Sequence, residues 1–453
     1  MTGLLIVNGE VEGVTGLDVR VDNGVVTEVG RALDRSRHEV LNARGGAVLP
    51  GLHDHHVHLR ALAAAAASVV AGPPAVNNAP ELAAALRAAS DGSGIGSWVR
   101  AIGYHESVAG PMDAATLDAF VADRPVRVQH RSGVLWVLNS EGLRRAQVQD
   151  AAEPGVERGG DGRPTGRLWR LDEWLRRRVP AVDADLAAVG RDAARHGVTG
   201  FTDADPERSA ADAAVLSVLP QRLHLMGPLG FATGGPVKVI LDEDALPSLE
   251  ELADTARAAH AEGRPIAVHC VTRAQLVLGL AAVHDAGAAA GDRIEHAAVV
   301  PDELLEPLRA VTVVTQPAFI AERGDAYLSD VDADDLPYLY RCRSLLEAGV
   351  RVAGGTDAPF GDADPWASVK AAVERRTASG AVLGPRERLA PADALKLFLG
   401  EADAPSIVRR VQPRAAADLC VLHCPLGAAL ADPNAEAVRA TVIAGTVVHD
   451  ANG

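Results

Sequence analysis

The chain has 453 residues, of which 48% are hydrophobic but only 3% aromatic, and its net charge is −16. That length suits one large barrel-type domain with a smaller companion, cored by Ala, Val and Leu. The acidic balance, without clustered cations, excludes a nucleic-acid surface, and no basic run marks a membrane patch.

The N-terminal "MTGLLIVNGEVEG" has a four-residue apolar run and no cationic start, so no signal peptide is expected. Residues 1–48 alternate in short strand-like runs, with Asp22-Asn23-Gly24 as a hairpin turn. "AADLCVLHC" and "AVRATVIAGTVVHD" repeat that pattern near the other end. A small β-sandwich domain built from 1–48 and 408–453 is therefore expected. The small-apolar run Ala61 to Val70 is shorter than the roughly 20 residues of a membrane span. Cys270, Cys342, Cys420 and Cys424 are too few for a disulfide framework, which favours a cytoplasmic protein. Cys420 and Cys424 flank His423 but lack a second pair, and are read as structural.

Residues 49–407 alternate strands with helical patterns. The strand candidates are 45–58, 197–204, 221–228, 236–243, 265–270, 293–298, 311–319 and 351–359. Eight such strands predict an α/β fold, a (β/α)8 TIM-type barrel. A long insertion over about 59–196, with the strand-like pieces "SWVRAIGYHES" and "PVRVQHRSG", is expected to cover the barrel mouth.

Reactive groups in such a barrel sit at the C-terminal strand ends. Strand one ends in His53-Asp54-His55-His56-Val57-His58. Residues two apart face the same way, so either His56 with His58 or His53 with His55 can grip an ion. Strand four carries Lys238, strand five His269, strand six His296 and strand eight Asp357. Each alone reads as an ordinary core or capping residue; together, at successive strand ends, they predict a metal centre.

Lys238 is the odd member, one of three lysines among 44 cationic side chains, within the apolar run "VKVIL". A buried ammonium is costly and has no lone pair for a metal. Burial lowers its pKa, and the neutral amine can add CO2 to give an anionic carbamate, which arginine cannot do. The plain alternative is an ion pair with Asp242 or Asp357.

"LPGLHDHHVHL" resembles the Pro-Gly-x-x-Asp-x-His-x-His signature of the amidohydrolase superfamily. The resemblance selects His56 and His58 and extends to Lys238, His269, His296 and Asp357. It implies two divalent ions, commonly Zn2+, bridged by N6-carboxylated Lys238. "RPTGRLWR", "VLNSEGL", "VTQPAF" and "GGTDAPFGDADP" are similar to the N-substituted formamide deformylase-like branch, amidohydrolase family 3. Two departures stand out. Thr272-Arg273 follows the strand-five histidine where Gly-Asp is usual, and Glu243 follows the strand-four Lys-x-x-x-Asp where glycine is usual.

The expected activity is hydrolysis of an amide-type C–N bond in a small N-acyl or N-formyl compound. The resemblance implies that His56 and His58 hold the inner ion, His269 and His296 the outer one, and that Asp357 moves the proton. Tyr104, His105, Glu106, His130 and Arg131 in the insertion are candidate substrate contacts. Arg131 with Arg273 would favour a substrate carboxylate. Ring opening of a cyclic amide such as a hydantoin or dihydropyrimidine is the second reading, and a non-catalytic barrel scaffold the third. Relatives often pair, which makes a homodimer the oligomeric expectation.

Overall fold

The run expected as one strand over 45–58 divides at Pro50-Gly51 into Ala47–Pro50 and Leu52–Val57. At the break the hydrogen-bonding partner changes. Gly51 N–H donates to Asp418 O at 2.8 Å, and Leu52 N–H donates to Gly197 O at 2.8 Å. A Cβ on Gly51 would come within 2.1 Å of the Thr199 side chain, so only glycine fits this close crossing. In this computed structural model, residues 3–451 are described, apart from 74, 93, 95, 183 and 233.

Leu52–Val57 is the first of eight parallel strands, here β1. The others are β2 (Val198–Asp203), β3 (Arg222–Leu225), β4 (Val237–Ile240), β5 (Ile266–Cys270), β6 (Arg293–His296), β7 (Thr312–Thr315) and β8 (Arg351–Gly354). β1 to β3 form one parallel run and β4 to β8 another. Lys238 N–H donates to Gly227 O at 3.1 Å, tying the segment after β3 to β4. Asp357 N–H donates to His56 O at 2.8 Å, tying the segment after β8 to β1. Helices Leu249–Ala261 and Arg273–Ala286 precede β5 and β6, each opened by a capping box, Ser248 with Glu251 and Thr272 with Gln275. The first buries Leu252, Ala253, Ala256 and Ala259, the stripe expected of a helix lying on a sheet.

The two ends of the chain share one eight-stranded sheet. Its order is 446–450, 438–443, 419–422, 47–50, 3–11, 14–22 and 25–30, with 38–42 pairing on 3–11. Asn23 and Gly24 both have positive φ, 50° and 76°, as a two-residue hairpin turn requires. Leu4, Ile6, Val19, Val21, Val421 and Val442 lie in its buried aliphatic core.

Two compact units result, Met1–Leu59 with Leu186–Gly453, and Arg60–Asp185. Helix Leu186–Arg195, inside the range expected for the insertion, belongs to the larger unit. Thr441 Oγ1 donates to its Ala194 carbonyl at 2.6 Å. The smaller unit has a six-stranded sheet in the order 156–158, 164–169, 135–138, 126–130, 99–104 and 69–70. Among the described residues, no helix is long and apolar enough to cross a membrane.

Candidate metal centre

β1 delivers His56 at its end and His58 just beyond it. His58 Nε2 lies 3.2 Å and His56 Nε2 3.4 Å from Asp357 Oδ1. One ligand atom from each of the three falls within 4.8 Å of the others, close enough to share one ion. The other pair allowed by strand parity gathers elsewhere. His53 Nε2 lies 2.9 Å from Thr202 Oγ1, and its ring centroid is 4.5 Å from that of His55.

His296 stands beside this group, its ring centroid 4.8 Å from His56 and 4.4 Å from His269. Burial pushes His56 and His296 well below the ordinary imidazole pKa, and His269 down to about 3. Burial also acts to lower His58, but the Asp357 carboxylate beside it outweighs burial and raises its pKa. A neutral imidazole keeps a lone pair, which a metal ligand needs. His296 Nδ1 faces Gln316 Oε1 at 2.8 Å, which leaves its Nε2 as the acceptor nitrogen.

Lys238 is 5% exposed. Burial lowers its pKa, opposed by the charges of Glu295 and Asp357. Its Nζ makes no hydrogen bond, and Asp242 instead caps the turn at Asp244 N. The paired-ammonium alternative is therefore absent as a contact. His56 Nε2, Lys238 Nζ and Asp357 Oδ1 are all buried without a hydrogen-bond partner. Buried polar atoms are nearly always partnered, so three orphans among neighbouring nitrogen and oxygen donors fit a bound divalent cation.

The backbone holds this geometry under strain. Asp357 and His296 both have left-handed backbones, φ 56° and 69°. Asp54 pins the segment after β8 against β1. Its Oδ1 accepts from Thr356 N at 2.9 Å and His56 N at 3.1 Å, and its Oδ2 accepts from Thr356 Oγ1 at 2.5 Å. Burial pushes Asp54 up to about 6 against the pull of those bonds. A Cβ on Gly355 would lie 2.7 Å from His56 N, so this approach also needs glycine. Asp54, Thr356, Glu295, Arg293 and Gln316 were not singled out as site residues from sequence. The Asp within the strand-one signature was the available signal for the first.

The expected substrate contacts fall into two groups. Tyr104, His105, Glu106, His130 and Arg131 all belong to the 60–185 unit, at the ends of strands 99–104 and 126–130. The Tyr104 hydroxyl donates to Gly110 O. His130 Nε2 pairs with Glu106 at 3.0 Å while its Nδ1 accepts from Ser132 N. His105 Nδ1 accepts from Ser107 N at 3.2 Å, and Arg131 is exposed. Arg273 belongs to the larger unit. Its guanidinium pairs with Asp335, lies 3.8 Å from Glu303 and covers the Tyr338 ring, so its charge is already compensated.

A model described as "Amidohydrolase family" matches residues 39–449. The chain is 24% identical to YtcJ of Bacillus subtilis (strain 168) over 453 aligned residues, covering 84% of this chain and 85% of that one. It is 25% identical to the N-substituted formamide deformylase of Arthrobacter pascens over 485 aligned residues, 88% of each chain. An uncharacterized metal-dependent hydrolase from Pyrococcus furiosus shares its fold, with a TM-score of 0.68 at 21% identity, covering 92% of this chain and 95% of that one.

Proposed function

The chain belongs to the amidohydrolase family, and from that premise we propose that it is a binuclear metal-dependent hydrolase of an amide-type C–N bond in a small N-acyl or N-formyl compound. The observation carrying this reading is the grouping of His56, His58 and Asp357 ligand atoms within 4.8 Å of one another, with His56 Nε2, Asp357 Oδ1 and Lys238 Nζ each buried and unpartnered. His56, His58 and Asp357 would hold one divalent ion and His269 with His296 a second, zinc being the expected metal. The eight parallel strands would close as a barrel around them, with the terminal sheet folded as a sandwich.

Bound ions of this kind supply an acidified water and a polarised carbonyl. The remaining work belongs to the chain. Lys238, its amine freed by burial, could add CO2 to form a carbamate with loss of one proton, and that carboxylate would offer oxygen donors to the ions. Asp357 accepts the proton of the attacking water and returns it to the leaving nitrogen, which cannot depart as an anion. Its left-handed backbone, tied to His56 O and steadied through Asp54 and Thr356, keeps that carboxylate aimed at both histidines.

The test is a screen of N-formyl, N-acyl and cyclic amides against zinc- and manganese-loaded protein with bicarbonate present, with Lys238→Arg alongside. Turnover of acyclic amides with about two ions per chain supports the reading. Turnover confined to hydantoins or dihydropyrimidines replaces the substrate class, and undiminished activity in Lys238→Arg removes the bridging role. A chain that takes up no metal after reconstitution is a scaffold.

A further inference from the structure

We infer that Glu295, clamped by Arg293, is a positioning residue that decides which nitrogen of His56 faces the metal. The inference rests on the metal-centre reading above and concerns a side chain that would not itself be a ligand.

Glu295 is 0% exposed and Arg293 2%. Arg293 Nε donates to Glu295 Oε1 at 2.7 Å, and its Nη2 donates to Oε2 at 3.1 Å and to His55 O at 2.7 Å. Glu295 Oε2 also faces His56 Nδ1 within hydrogen-bonding distance. Both carboxylate oxygens are therefore engaged, which leaves Glu295 poorly placed to bind an ion. A carboxylate only accepts, so His56 Nδ1 must carry the proton and Nε2 the lone pair. Arg293 supplies a countercharge 2.7 Å from Glu295, so the pair calls for no cationic His56.

The comparison with His296 sharpens the point. There Gln316 accepts from Nδ1 through an amide oxygen, but an amide can rotate and present its NH2 instead. Glu295 has no such second face. Residues 293 and 295 are two apart on β6 and share a side, while the left-handed backbone of His296 turns the following residue into the site as well. One tetrapeptide, Arg293-Ile294-Glu295-His296, thus contributes one candidate ligand and orients another on β1.

Glu295→Gln tests this directly. Arg293 still demands acceptor oxygens, so the new amide would turn its NH2 toward His56 and force the opposite tautomer. Long-range proton–nitrogen spectra of histidine-labelled, metal-free protein should show His56 protonated on Nδ1 in the parent and on Nε2 in the variant. Zinc competition titrations should show affinity falling about 10–100-fold. An unchanged tautomer together with zinc affinity within twofold of the parent overturns the proposal. A parent that binds no zinc counts against the metal-centre reading instead, and the tautomer measurement still decides the role of Glu295. Should Glu295→Gln fail to fold, Arg293→Lys weakens the clamp and is read by the same resonances. A mixture of the two His56 tautomers is expected there, and a pure Nδ1–H form would overturn the proposal.

Discussion

Two buried polar sites contrast sharply in how their hydrogen-bonding groups are used. In the 60–185 unit, Asn139 is fully buried and every hydrogen-bonding position of its amide is used. Its oxygen accepts from Val126 N at 2.9 Å and Gly142 N at 2.8 Å, and its nitrogen donates to Val121 O and Arg124 O, both at 2.8 Å. On β1, on β4 and just beyond β8, by contrast, His56, Lys238 and Asp357 are buried and each leaves an atom unpartnered. A satisfied buried amide stabilises the fold and offers no free chemistry. Unsatisfied buried groups cost stability, and their persistence points to a ligand.

The contrast can be broken from either side. The largest effect belongs to Asp357→Asn, which should lower kcat on the best amide substrate by about 10²–10⁴-fold. Thermal unfolding of the metal-free variant should be no earlier than that of the parent, since a buried carboxylate with an orphan oxygen has been neutralised. An accompanying large loss of stability would mean Asp357 belongs with Asn139 as a structural residue. Asn139→Ala should do the reverse. It strands several buried backbone groups and should cost about 3 kcal/mol in denaturant unfolding. Metal content in the folded fraction should be unchanged. Removal of the metal comes next: if each site is saturated to a hundred times its Kd, stripping with a chelator should lower stability by about 2.7 kcal/mol for each ion lost. Calorimetry in the presence and absence of chelator measures this, and no shift would mean the orphan atoms hold nothing.

The same contrast explains what could be read from the amino acids. His56, His58 and Asp357 were legible because ligand chemistry needs particular side chains at strand ends, and the structure brings those three together. The order of the eight parallel strands was legible from alternating runs. The division of 45–58 was not: "VLPGL" is apolar on both sides of Pro50-Gly51, and only the hydrogen-bonding partner changes. Glu295 was hidden by strand parity, which allows only one of two adjacent residues to face inward. The left-handed backbone at His296 breaks that rule, and no composition signal announces it. "VLNSEGL" and "VTQPAF" were noticed as family-like without a role. The first supplies Asn139 as a helix cap, the second Gln316 as the partner of His296.

The smallest effect is the most discriminating, because it lies between the two regimes. Thr356 Oγ1 donates to Asp54 Oδ2, whose other oxygen takes the N–H groups of Thr356 and His56. This network is satisfied, as at Asn139, yet it adjoins the orphaned atoms. Thr356→Val keeps the side-chain shape, leaves one oxygen of Asp54 without its donor, and should cost about 2 kcal/mol in denaturant unfolding. If Asp54 only staples β1 to the segment after β8, that loss is the whole effect and the zinc affinity of the folded protein stays level. If the staple also holds Asp357 at 3.2–3.4 Å from the two histidines, zinc affinity falls with stability. The left-handed backbone at Asp357 favours the second outcome, since a strained residue relaxes once the contacts that hold it are weakened. Zinc titration of Thr356→Val under conditions where it is fully folded separates the two.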